Sequence, residues 1–290
     1  MQIVTDTGMD LYLPPEEIAE DVPLHITRHK VLLDGKTYRS GLDIQHKELY
    51  ELLEKTDGLP TTSVPSTGEM VELYQELAKT DPDIIAIHMS SGLSGTINSA
   101  QSASEMVPEA NVTVIDAMTL SGVMGWQVAA ATRAVKAGWS PEQIAKLVAD
   151  IVAVSDSIYT LDDLTYLIHG GRISHMKGLI ASALKLKPLI GVAKSDGKYE
   201  QLGSVRTFKG ALKGLVKQML KRHPEGTHLR VQIIHALNPT AVPILKEEIE
   251  KHFKCTWLPV GNMSPVLSAH TGPSMIGLGF ASLAEYPEIP

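Results

Sequence analysis

The central segment of the chain is Ser90-Ser91-Gly92-Leu93-Ser94-Gly95-Thr96-Ile97-Asn98-Ser99-Ala100. A short apolar run at 83–89 precedes it, directly after the turn signal Asp81-Pro82, and this pattern predicts a buried strand. Residues 96–106 contain no glycine or proline and can form a helix. The segment is therefore predicted to be a turn at the carboxyl end of a strand, where open α/β sheets bind ligands.

Two interpretations of this turn remain open. The start of a helix offers free N–H groups and the positive end of the helix dipole, and hydroxyl groups add further donors at Ser90, Ser91, Ser94 and Thr96. Together these groups suit a small anion such as a carboxylate or a phosphate. Serine is also a favoured N-cap and glycine is common in turns, so the same residues could serve the local structure alone.

The size and composition of the chain indicate a two-domain protein with an aliphatic interior. Of its 290 residues, 43% are hydrophobic and 5% are aromatic, and we expect a first domain at 1–157 and a second at 158–290. The net charge of -7 disfavours nucleic acid as a partner. The single cysteine, Cys255, excludes an internal disulfide and fits a reducing cytoplasm.

Neither a signal peptide nor a membrane span is expected. The residues from Met1 to Asp6 lack a basic region followed by a long apolar region. The apolar runs are far shorter than the roughly 20 residues that cross a bilayer. We therefore expect a cytoplasmic protein with no integral membrane segment.

The first half of the chain alternates strands with helices. Residues 2–5 and 111–115 are predicted strands, a helix is predicted at 123–137, and the pair Ser140 and Gln143 marks the start of another. This recurrence predicts a parallel, Rossmann-like sheet with helices on both faces.

Turn and cap signals place the smaller elements of this half. Asp34-Gly35 predicts a hairpin between 24–33 and 36–39. Ser66 and Glu69 form a capping box for a helix. Two prolines lie within Leu59-Pro60-Thr61-Thr62-Ser63-Val64-Pro65-Ser66, which is expected to be an extended, hydroxyl-rich loop.

The second half mixes hairpins with helices. Ser195-Asp196-Gly197 predicts a hairpin between 186–193 and 198–205. Helices are predicted at 177–185, at 208–222 and, capped by Asn238-Pro239, up to His252. These patterns predict an α/β domain with a mixed, partly antiparallel sheet.

Several catalytic signatures are absent from the sequence. Gly92-Leu93-Ser94-Gly95-Thr96 is close to a nucleophile elbow, but Thr96 stands where that motif needs glycine. The sequence has no dinucleotide fingerprint, no phosphate-binding loop with lysine and no two-histidine zinc pattern on a helix. We therefore expect no metal site, no cofactor and no means of holding ATP in this chain.

Five segments together resemble the DegV family. They are Thr5-Asp6-Thr7, Thr62-Ser63-Val64-Pro65-Ser66, Leu93-Ser94-Gly95-Thr96, Gly170-Gly171-Arg172-Ile173-Ser174 and His270-Thr271-Gly272-Pro273. Their order and spacing, over most of the chain, make the resemblance specific. The family usually has Ser, Gln and Gly where this chain has Thr7, Val64 and Ser274, and these differences bear on chain-length preference more than on ligand class.

The resemblance implies a two-domain α/β protein that binds a long-chain fatty acid in a cleft between the domains. Characterised members are the acyl-carrying subunits of bacterial fatty acid kinase, whose separate kinase subunit brings ATP and phosphorylates the carboxylate. The resemblance implies that Thr62, Ser94 and His270 bind the carboxylate, with Arg172 close by, and that this chain has no catalytic residue. Hydroxyl, imidazole and N–H groups all donate to carboxylates, so the residue types agree.

Other roles for these residues remain open. Thr62 could form a turn between prolines, His270 could be a solvated side chain in a loop, and Arg172 could donate to loop carbonyls. Asp6 could orient a hydroxyl, act as a base or bond its own backbone. The alternative function is a stand-alone phosphotransferase or hydrolase that uses Ser94 with Asp6 or His270, and a third possibility is a ligand-responsive regulator.

The acyl chain would need a long apolar slot. Each buried methylene stabilises the complex by about 0.8 kcal/mol, so the tail would dominate the affinity and the headgroup contacts would set the orientation. Candidate lining residues are Ile180, Leu184, Leu186, Leu189, Ile190 and Ile276. Ordinary core packing explains these residues equally well.

A local reversal of charge marks the second half. The span between Ser204 and Pro224 has no Asp or Glu, and on a helix four of its lysines line one face, namely Lys209, Lys213, Lys217 and Lys221. Arg206 stands where the resemblance places the kinase-contacting arginine. We therefore expect Arg206 and Lys209 to bind the partner kinase, with a solvated basic helix face as the alternative.

Overall fold

The computed structural model describes residues 1–182 and 186–290 of the chain. Its strands are β1 (Gln2–Asp6), β2 (Leu24–Thr27), β3 (Lys30–Leu33), β4 (Lys36–Arg39), β5 (Thr61–Ser63), β6 (Asp83–His88), β7 (Asn111–Asp116), β8 (Ser155–Thr160), β9 (Lys187–Val192), β10 (Tyr199–Val205), β11 (His228–His235), β12 (Lys254–Trp257), β13 (Gly261–Asn262) and β14 (Ile276–Ser282). Its helices are α1 (His46–Leu53), α2 (Thr67–Ala78), α3 (Thr96–Met106), α4 (Ser121–Lys136), α5 (Pro141–Val154), α6 (Thr165–Gly170), α7 (Lys177–Ser182), α8 (Phe208–Arg222), α9 (Ala241–Glu250) and α10 (Pro265–Thr271).

The first sheet contains four parallel strands in the order β2-β1-β6-β7. Ile3 of β1 pairs with Leu24 of β2 on one side and with Ile85 of β6 on the other. α2 and α3 pack on the face that carries Val4, and α4 packs on the opposite face with Ile3 and Ile85. The structure therefore confirms the predicted parallel sheet with helices on both faces.

A small antiparallel sheet, in the order β4-β3-β5, stands beside the first sheet. Asp34 and Gly35 have φ angles of 50° and 72°, as a tight two-residue hairpin requires, so the predicted hairpin is confirmed. The loop predicted at 59–66 is wrong at residues 61–63, because β5 pairs with β3 between the two prolines. In this register Thr62 stands opposite Val31.

The strand predicted at 24–33 is two strands in two different sheets. β2 joins β1 in parallel, whereas β3 joins the small antiparallel sheet. Arg28 and His29 lie at the change of direction between them. Neither residue is a turn former, so the sequence carries no strong signal for this break.

The second sheet is mixed, with the strand order β10-β9-β8-β14-β11-β12 and with β13 paired to β11. β11 is parallel to β12 and β13, and the remaining pairs are antiparallel. The predicted mixed sheet and the hairpin between β9 and β10 are confirmed. β8 begins at Ser155, so the predicted domain boundary between 157 and 158 falls inside this strand, and the division into domains stays a prediction.

One apolar core joins the two sheets. α4 lies between them and contacts β1, β8, β11 and β14. Its residues Met124 and Val128 are fully buried in a cluster that includes Ile3 of the first sheet and Ile190 of the second. Trp126 of the same helix donates its indole N–H to Gln232 Oε1 at 2.8 Å. Because the two sheets share this core, residues from both halves can contribute to one site.

The helix caps agree with the sequence in part. Ser66 and Ser140 cap α2 and α5 as predicted, each within a capping box. The predicted cap at Asn238-Pro239 is wrong, because α9 begins only at Ala241 and the Asn238 amide instead donates to Ser274 O at 2.8 Å.

Two further helices differ from the sequence prediction in extent. The segment that carries His270 was expected to be a loop but is helix α10, which begins with Pro265 at its first position. α7 covers the first part of the helix predicted at 177–185, and the positions beyond 182 in that prediction, which include Leu184, lie outside the described residues. Within 1–182 and 186–290, no helix has the length and apolar character to cross a membrane.

Candidate functional site

Polar side chains gather where the parallel strands of the first sheet end. Thr7 follows β1, His29 follows β2, the segment 90–95 follows β6, and Thr119 lies beyond β7. Because parallel strands end at the same edge of a sheet, these loops lie side by side. Ser90 N, for example, donates to Thr119 O at 2.9 Å. This edge of the sheet is therefore the expected position of a ligand site.

The turn after β6 has the predicted form. α3 begins at Thr96, with Gly95 at its N-cap and no side-chain cap. Ser94 N donates to Ser90 O at 3.0 Å, which folds the turn back on itself. Ser94 Oγ accepts from Thr96 N at 3.3 Å and lies 2.8 Å from Thr96 Oγ1. The half-buried Ser94 hydroxyl is thus held at the start of a helix.

Thr62 and His270 meet directly. Oγ1 of Thr62, on β5, lies 2.8 Å from Nε2 of His270, on α10. α10 packs against β3, β5 and α6, and this packing brings the two residues together. Both side chains are half-buried. The alternative roles of Thr62 as a turn former and of His270 as a loop residue therefore do not describe these positions.

Arg172 connects the Ser94 turn with His270. Its Nε donates to Leu93 O at 3.5 Å, and its Nη1 donates to Gly170 O at 2.5 Å. The backbone of Gly170 packs against the imidazole of His270 so closely that a Cβ at Gly170 would lie 2.3 Å from Nδ1. Arg172 thus bonds loop carbonyls, as one interpretation expected, and it also brings a positive charge to the site.

The imidazole of His270 is neutral at neutral pH. Burial, together with the nearby charge of Arg172, lowers the pKa of His270 to about 3. A neutral imidazole has one N–H donor and one acceptor nitrogen. Nδ1 of His270 has no hydrogen-bond partner among the described residues. The site therefore combines one permanent cation with neutral donors.

His29 belongs to this site, and the sequence analysis missed it. Its side chain is 2% exposed, with Nε2 at 2.9 Å from Thr96 Oγ1 and Nδ1 at 3.1 Å from Thr7 Oγ1. Burial lowers the pKa of His29; Asp6 opposes this effect, and the charge of Arg172 adds to it. The position of His29 after a parallel strand could have revealed it, had the break between β2 and β3 been recognised.

Asp6 lies close to His29, but its carboxylate accepts hydrogen bonds from the backbone. Its Oδ1 accepts from Gly8 N at 2.7 Å, and its Oδ2 accepts from Met89 N at 3.0 Å and pairs with His88 Nδ1 at 3.0 Å. Burial raises its pKa, but the hydrogen bond from His88 and the other favourable interactions of the carboxylate, including the backbone N–H of Met89, outweigh burial, so the pKa of Asp6 is lowered. Of the predicted alternatives, the bond to its own backbone is the one observed.

An apolar cavity adjoins the polar cluster. It is narrow, with a cavity volume of about 50 Å³, and lies between the start of α4, α10 and the second sheet. Its lining includes Leu120, Ile158, Val192, Ile234, Met263, Leu267, Met275 and Leu278. Thr271, the neighbour of His270, also lines it, and Tyr199 lines both this cavity and the open cleft that contains Arg172. The cavity is therefore linked to the cleft of Arg172 through Tyr199, and to His270 through its neighbour Thr271 on α10.

The lining differs from the predicted acyl slot. Of the predicted residues that the structure describes, none lines this cavity; these are Ile180, Leu186, Leu189, Ile190 and Ile276. Leu189, for example, faces α8, where a Cβ at Gly214 would lie 2.7 Å from its side chain. Leu184 lies outside the described residues. The cavity is formed by elements far apart in the chain, which sequence patterns do not reveal.

The predicted basic surface is formed by α8 and the residue before its N-cap. Arg206 and Lys209 are exposed on either side of the N-cap Thr207, and the other lysines of the predicted face are exposed as well. Val205 pairs with Lys187, which forms an ion pair with Asp162 at 2.7 Å.

Asp162 links the strand pair that precedes Arg206 to the end of α10. The backbone N–H of Asp162 donates to Ser274 Oγ at 2.9 Å, and Ser274 lies just beyond the end of α10. Arg206 therefore lies near one end of the second sheet. The carboxyl end of α10, which carries His270, lies near the same end of the sheet.

The fold and the site define a two-sheet α/β protein with a cluster of hydrogen-bond donors beside an apolar cavity. The chain belongs to the DegV family, because the model of the family described as "uncharacterised protein, DegV family" matches residues 1–283. This confirms the family resemblance that the five sequence segments indicated.

Individual relatives cover nearly the whole chain. A DegV domain-containing protein of Staphylococcus aureus strain MRSA252 is 36% identical over 276 residues, which cover 95% of this chain and 96% of that protein. The crystal structure of DegV from Bacillus subtilis, described as a fatty acid binding protein, is 30% identical with a TM-score of 0.82 and covers 97% of this chain and 98% of that one.

A more distant relative shares the fold. The Streptococcus pneumoniae Fatty Acid Kinase (Fak) B3 protein loaded with linoleic acid has a TM-score of 0.81 at 18% identity, and the match covers 97% of this chain and 99% of that chain. At this identity the match shows the common fold.

Proposed function

We propose that this protein binds a long-chain fatty acid, with the acyl chain in the apolar cavity and the carboxylate at the cluster of Thr62, Ser94, His270 and Arg172. The observation that carries the proposal is that Tyr199 lines both the apolar cavity and the cleft of Arg172, while Thr271, next to His270 on α10, also lines the cavity. An amphipathic ligand with one anionic end needs this combination of surfaces.

The chemistry of the headgroup site supports a carboxylate. Ser94 and the hydrogen-bonded pair of Thr62 and His270 offer donors to an anion, and Arg172 supplies the positive charge that compensates the ligand. The positive end of α3, at Gly95 and Thr96, adds to the favourable potential for an anion.

The acyl chain supplies most of the affinity in this proposal. Burial of each methylene stabilises the complex by about 0.8 kcal/mol, whereas one hydrogen bond to a charged group contributes about 1.5–3 kcal/mol. A long chain therefore outweighs any single headgroup contact. The headgroup contacts instead fix where the carboxylate stands.

We further propose that the protein presents the carboxylate to an ATP-dependent kinase subunit, which phosphorylates it to an acyl phosphate. The open cleft beside Arg172 gives a partner access to the headgroup. The exposed residues Arg206 and Lys209 lie toward the same end of the second sheet and suit an acidic patch on that partner. A partner that uses ATP implies a cytoplasmic carrier with a role in phospholipid metabolism.

The contacts do not favour the alternative of a stand-alone phosphotransferase or hydrolase. A nucleophilic serine needs a base within hydrogen-bond reach. In the described part of the chain Ser94 Oγ pairs with Thr96, Asp6 pairs with His88 and two backbone N–H groups, and His270 pairs with Thr62. Neither predicted base is a partner of Ser94.

Lipid extraction tests the proposal directly. Protein purified from a bacterial host should release about one equivalent of long-chain fatty acid, identified by mass spectrometry after extraction with chloroform and methanol. The delipidated protein should take up added oleate or palmitate. Less than about a tenth of an equivalent of any lipid, together with no uptake of either acid, would refute the proposal.

A further inference from the structure

Four side chains form a hydrogen-bonded series from the interior to Ser94. Thr7, His29 and Thr96 are 7%, 2% and 0% exposed. Thr7 Oγ1 lies 3.1 Å from His29 Nδ1, His29 Nε2 lies 2.9 Å from Thr96 Oγ1, and Thr96 Oγ1 lies 2.8 Å from Ser94 Oγ. All three distances are those of hydrogen bonds. The last member of the series stands at the headgroup site.

At the inner end of this series, the backbone determines which group of each pair donates its proton and which accepts it. Thr7 Oγ1 accepts a hydrogen bond from the backbone N–H of His29 at 3.1 Å. The proton of Thr7 then has His29 Nδ1 as its acceptor. A neutral imidazole that accepts at Nδ1 carries its proton on Nε2, so His29 donates to Thr96. In the reverse direction the Thr7 proton would lack an acceptor among the described contacts, and a buried unpaired donor is costly.

The outer end has the same direction. When Thr96 Oγ1 accepts from His29, Ser94 Oγ is the acceptor that the described contacts offer to the proton of Thr96. Ser94 Oγ also accepts from the backbone N–H of Thr96 at 3.3 Å. A serine hydroxyl has two acceptor lone pairs and one proton. Both lone pairs are therefore occupied, and only the proton remains for a ligand.

We infer that Thr7, His29 and Thr96 are positioning residues that make Ser94 a one-way hydrogen-bond donor, selective for a carboxylate over its neutral ester. The inference deepens the proposed function and rests on it for the identity of the ligand. Charge-assisted hydrogen bonds are about twice as strong as neutral ones, so a fixed donor favours the anion. The same arrangement leaves Ser94 without a free lone pair for nucleophilic attack.

The affinity of delipidated protein for oleate and for methyl oleate tests the inference. Thr96→Val removes the hydroxyl but keeps the shape of the side chain, and it should lower the ratio of oleate affinity to methyl oleate affinity about tenfold, as expected for a lost hydrogen bond to a charged group. Thr96→Ser keeps the hydroxyl and should leave the ratio within about twofold of the wild type. A packing defect would lower both affinities together, so a parallel fall in Thr96→Val overturns the inference.

The tautomer of His29 gives a second test that needs no ligand. ¹⁵N NMR of the imidazole distinguishes protonation at Nε2 from protonation at Nδ1. The series requires a neutral His29 with its proton on Nε2, and a proton on Nδ1 would overturn it. If the wild type binds neither oleate nor methyl oleate, the proposed function fails, and the tautomer alone decides whether the series has the inferred direction.

Discussion

Thr62 and His270 are 208 positions apart in the chain, yet Thr62 Oγ1 lies 2.8 Å from His270 Nε2. The small antiparallel sheet holds Thr62 through its pairing with Val31, and α10 holds His270 against that sheet. The headgroup site therefore forms only when the two halves of the protein pack together. Single substitutions at the contact between them should affect presentation of the ligand before they affect burial of its tail.

Thr62→Val should separate these two effects. The variant loses the hydroxyl at the headgroup while the backbone pairing of β5 and the acyl cavity remain. Affinity for oleate should fall by no more than about 1.5–3 kcal/mol, and formation of acyl phosphate with ATP and the kinase subunit of the same organism should fall by a larger factor. Thr61→Val, an exposed neighbour on the same strand, is the matched control. Wild-type turnover in Thr62→Val would show that Thr62 has no such role.

Gly170→Ala should displace the imidazole of His270. A Cβ at Gly170 would lie 2.3 Å from Nδ1, which is too close for any van der Waals contact, so His270 must move away from Thr62. We expect at least a tenfold loss of kinase-coupled turnover. Gly178→Ala, at a helical glycine with no atom within 4 Å of the added Cβ, should behave as the wild type. Equal activity of the two variants would mean that the position of His270 does not matter.

The sequence predicted part of the polar cluster that the structure brings together, and His29 shows why the rest was hidden. The turn after β6 and the hairpin at Asp34-Gly35 carry strong local signals, namely glycine with serine or aspartate at positions of fixed geometry. The break before β3 has no such signal, because only tertiary pairing sends β2 and β3 into different sheets. His29 therefore appeared to lie within a continuous strand.

The helix of His270 and the acyl cavity depend on contacts distant in the chain. Ser268, His270 and Thr271 are weak helix formers, and α10 is stabilised by its packing against α6 and the small sheet. The cavity lies between α4, α10 and strands of the second sheet. Periodicity identifies apolar faces but does not tell which face meets which, so it could not reveal the residues that line this cavity.

Asp10 should make the stability of the protein depend on pH. Its buried carboxylate accepts from Ser264 N at 2.8 Å and from Ser121 Oγ at 2.6 Å, at the starts of α10 and α4. Burial raises the pKa of Asp10 from 3.8 to about 7, against the smaller effects of these hydrogen bonds. Between about pH 4 and pH 7 the folded state binds a proton that the unfolded state has lost, so this group's contribution to stability falls as the pH rises.

Histidines whose pKa is lowered by folding make the protein more stable as the pH rises, which opposes the effect of Asp10. Because Asp10→Asn contains the same histidines, the difference in stability between the two proteins isolates the contribution of Asp10. Urea unfolding from pH 5 to pH 8 should show the stability of the wild type falling relative to Asp10→Asn by about 3 kcal/mol, mostly between pH 5 and the folded-state pKa of about 7, at about 1.4 kcal/mol per pH unit. A difference between the two proteins that is constant over this range would contradict the prediction.

Arg206→Ala and Lys209→Glu should weaken docking of the kinase without loss of the fatty acid. Both residues are exposed beside the start of α8. Removal of a charge that steers association lowers the association rate and its dependence on ionic strength. Lys254→Glu, an exposed lysine on the edge strand β12 at the other side of the sheet, should have little effect. The docking surface lies elsewhere if the first two variants keep the turnover and the salt dependence of the wild type.

The structure of the protein crystallised with oleate is the measurement that tests the central claim most directly. We predict that one carboxylate oxygen lies within about 3.2 Å of Ser94 Oγ and the other within the same distance of Thr62 Oγ1 or His270 Nε2, as hydrogen bonds require. The acyl chain should occupy the cavity lined by Leu120, Ile234 and Leu267. A carboxylate bound away from these groups, or an acyl chain outside this cavity, would contradict the account.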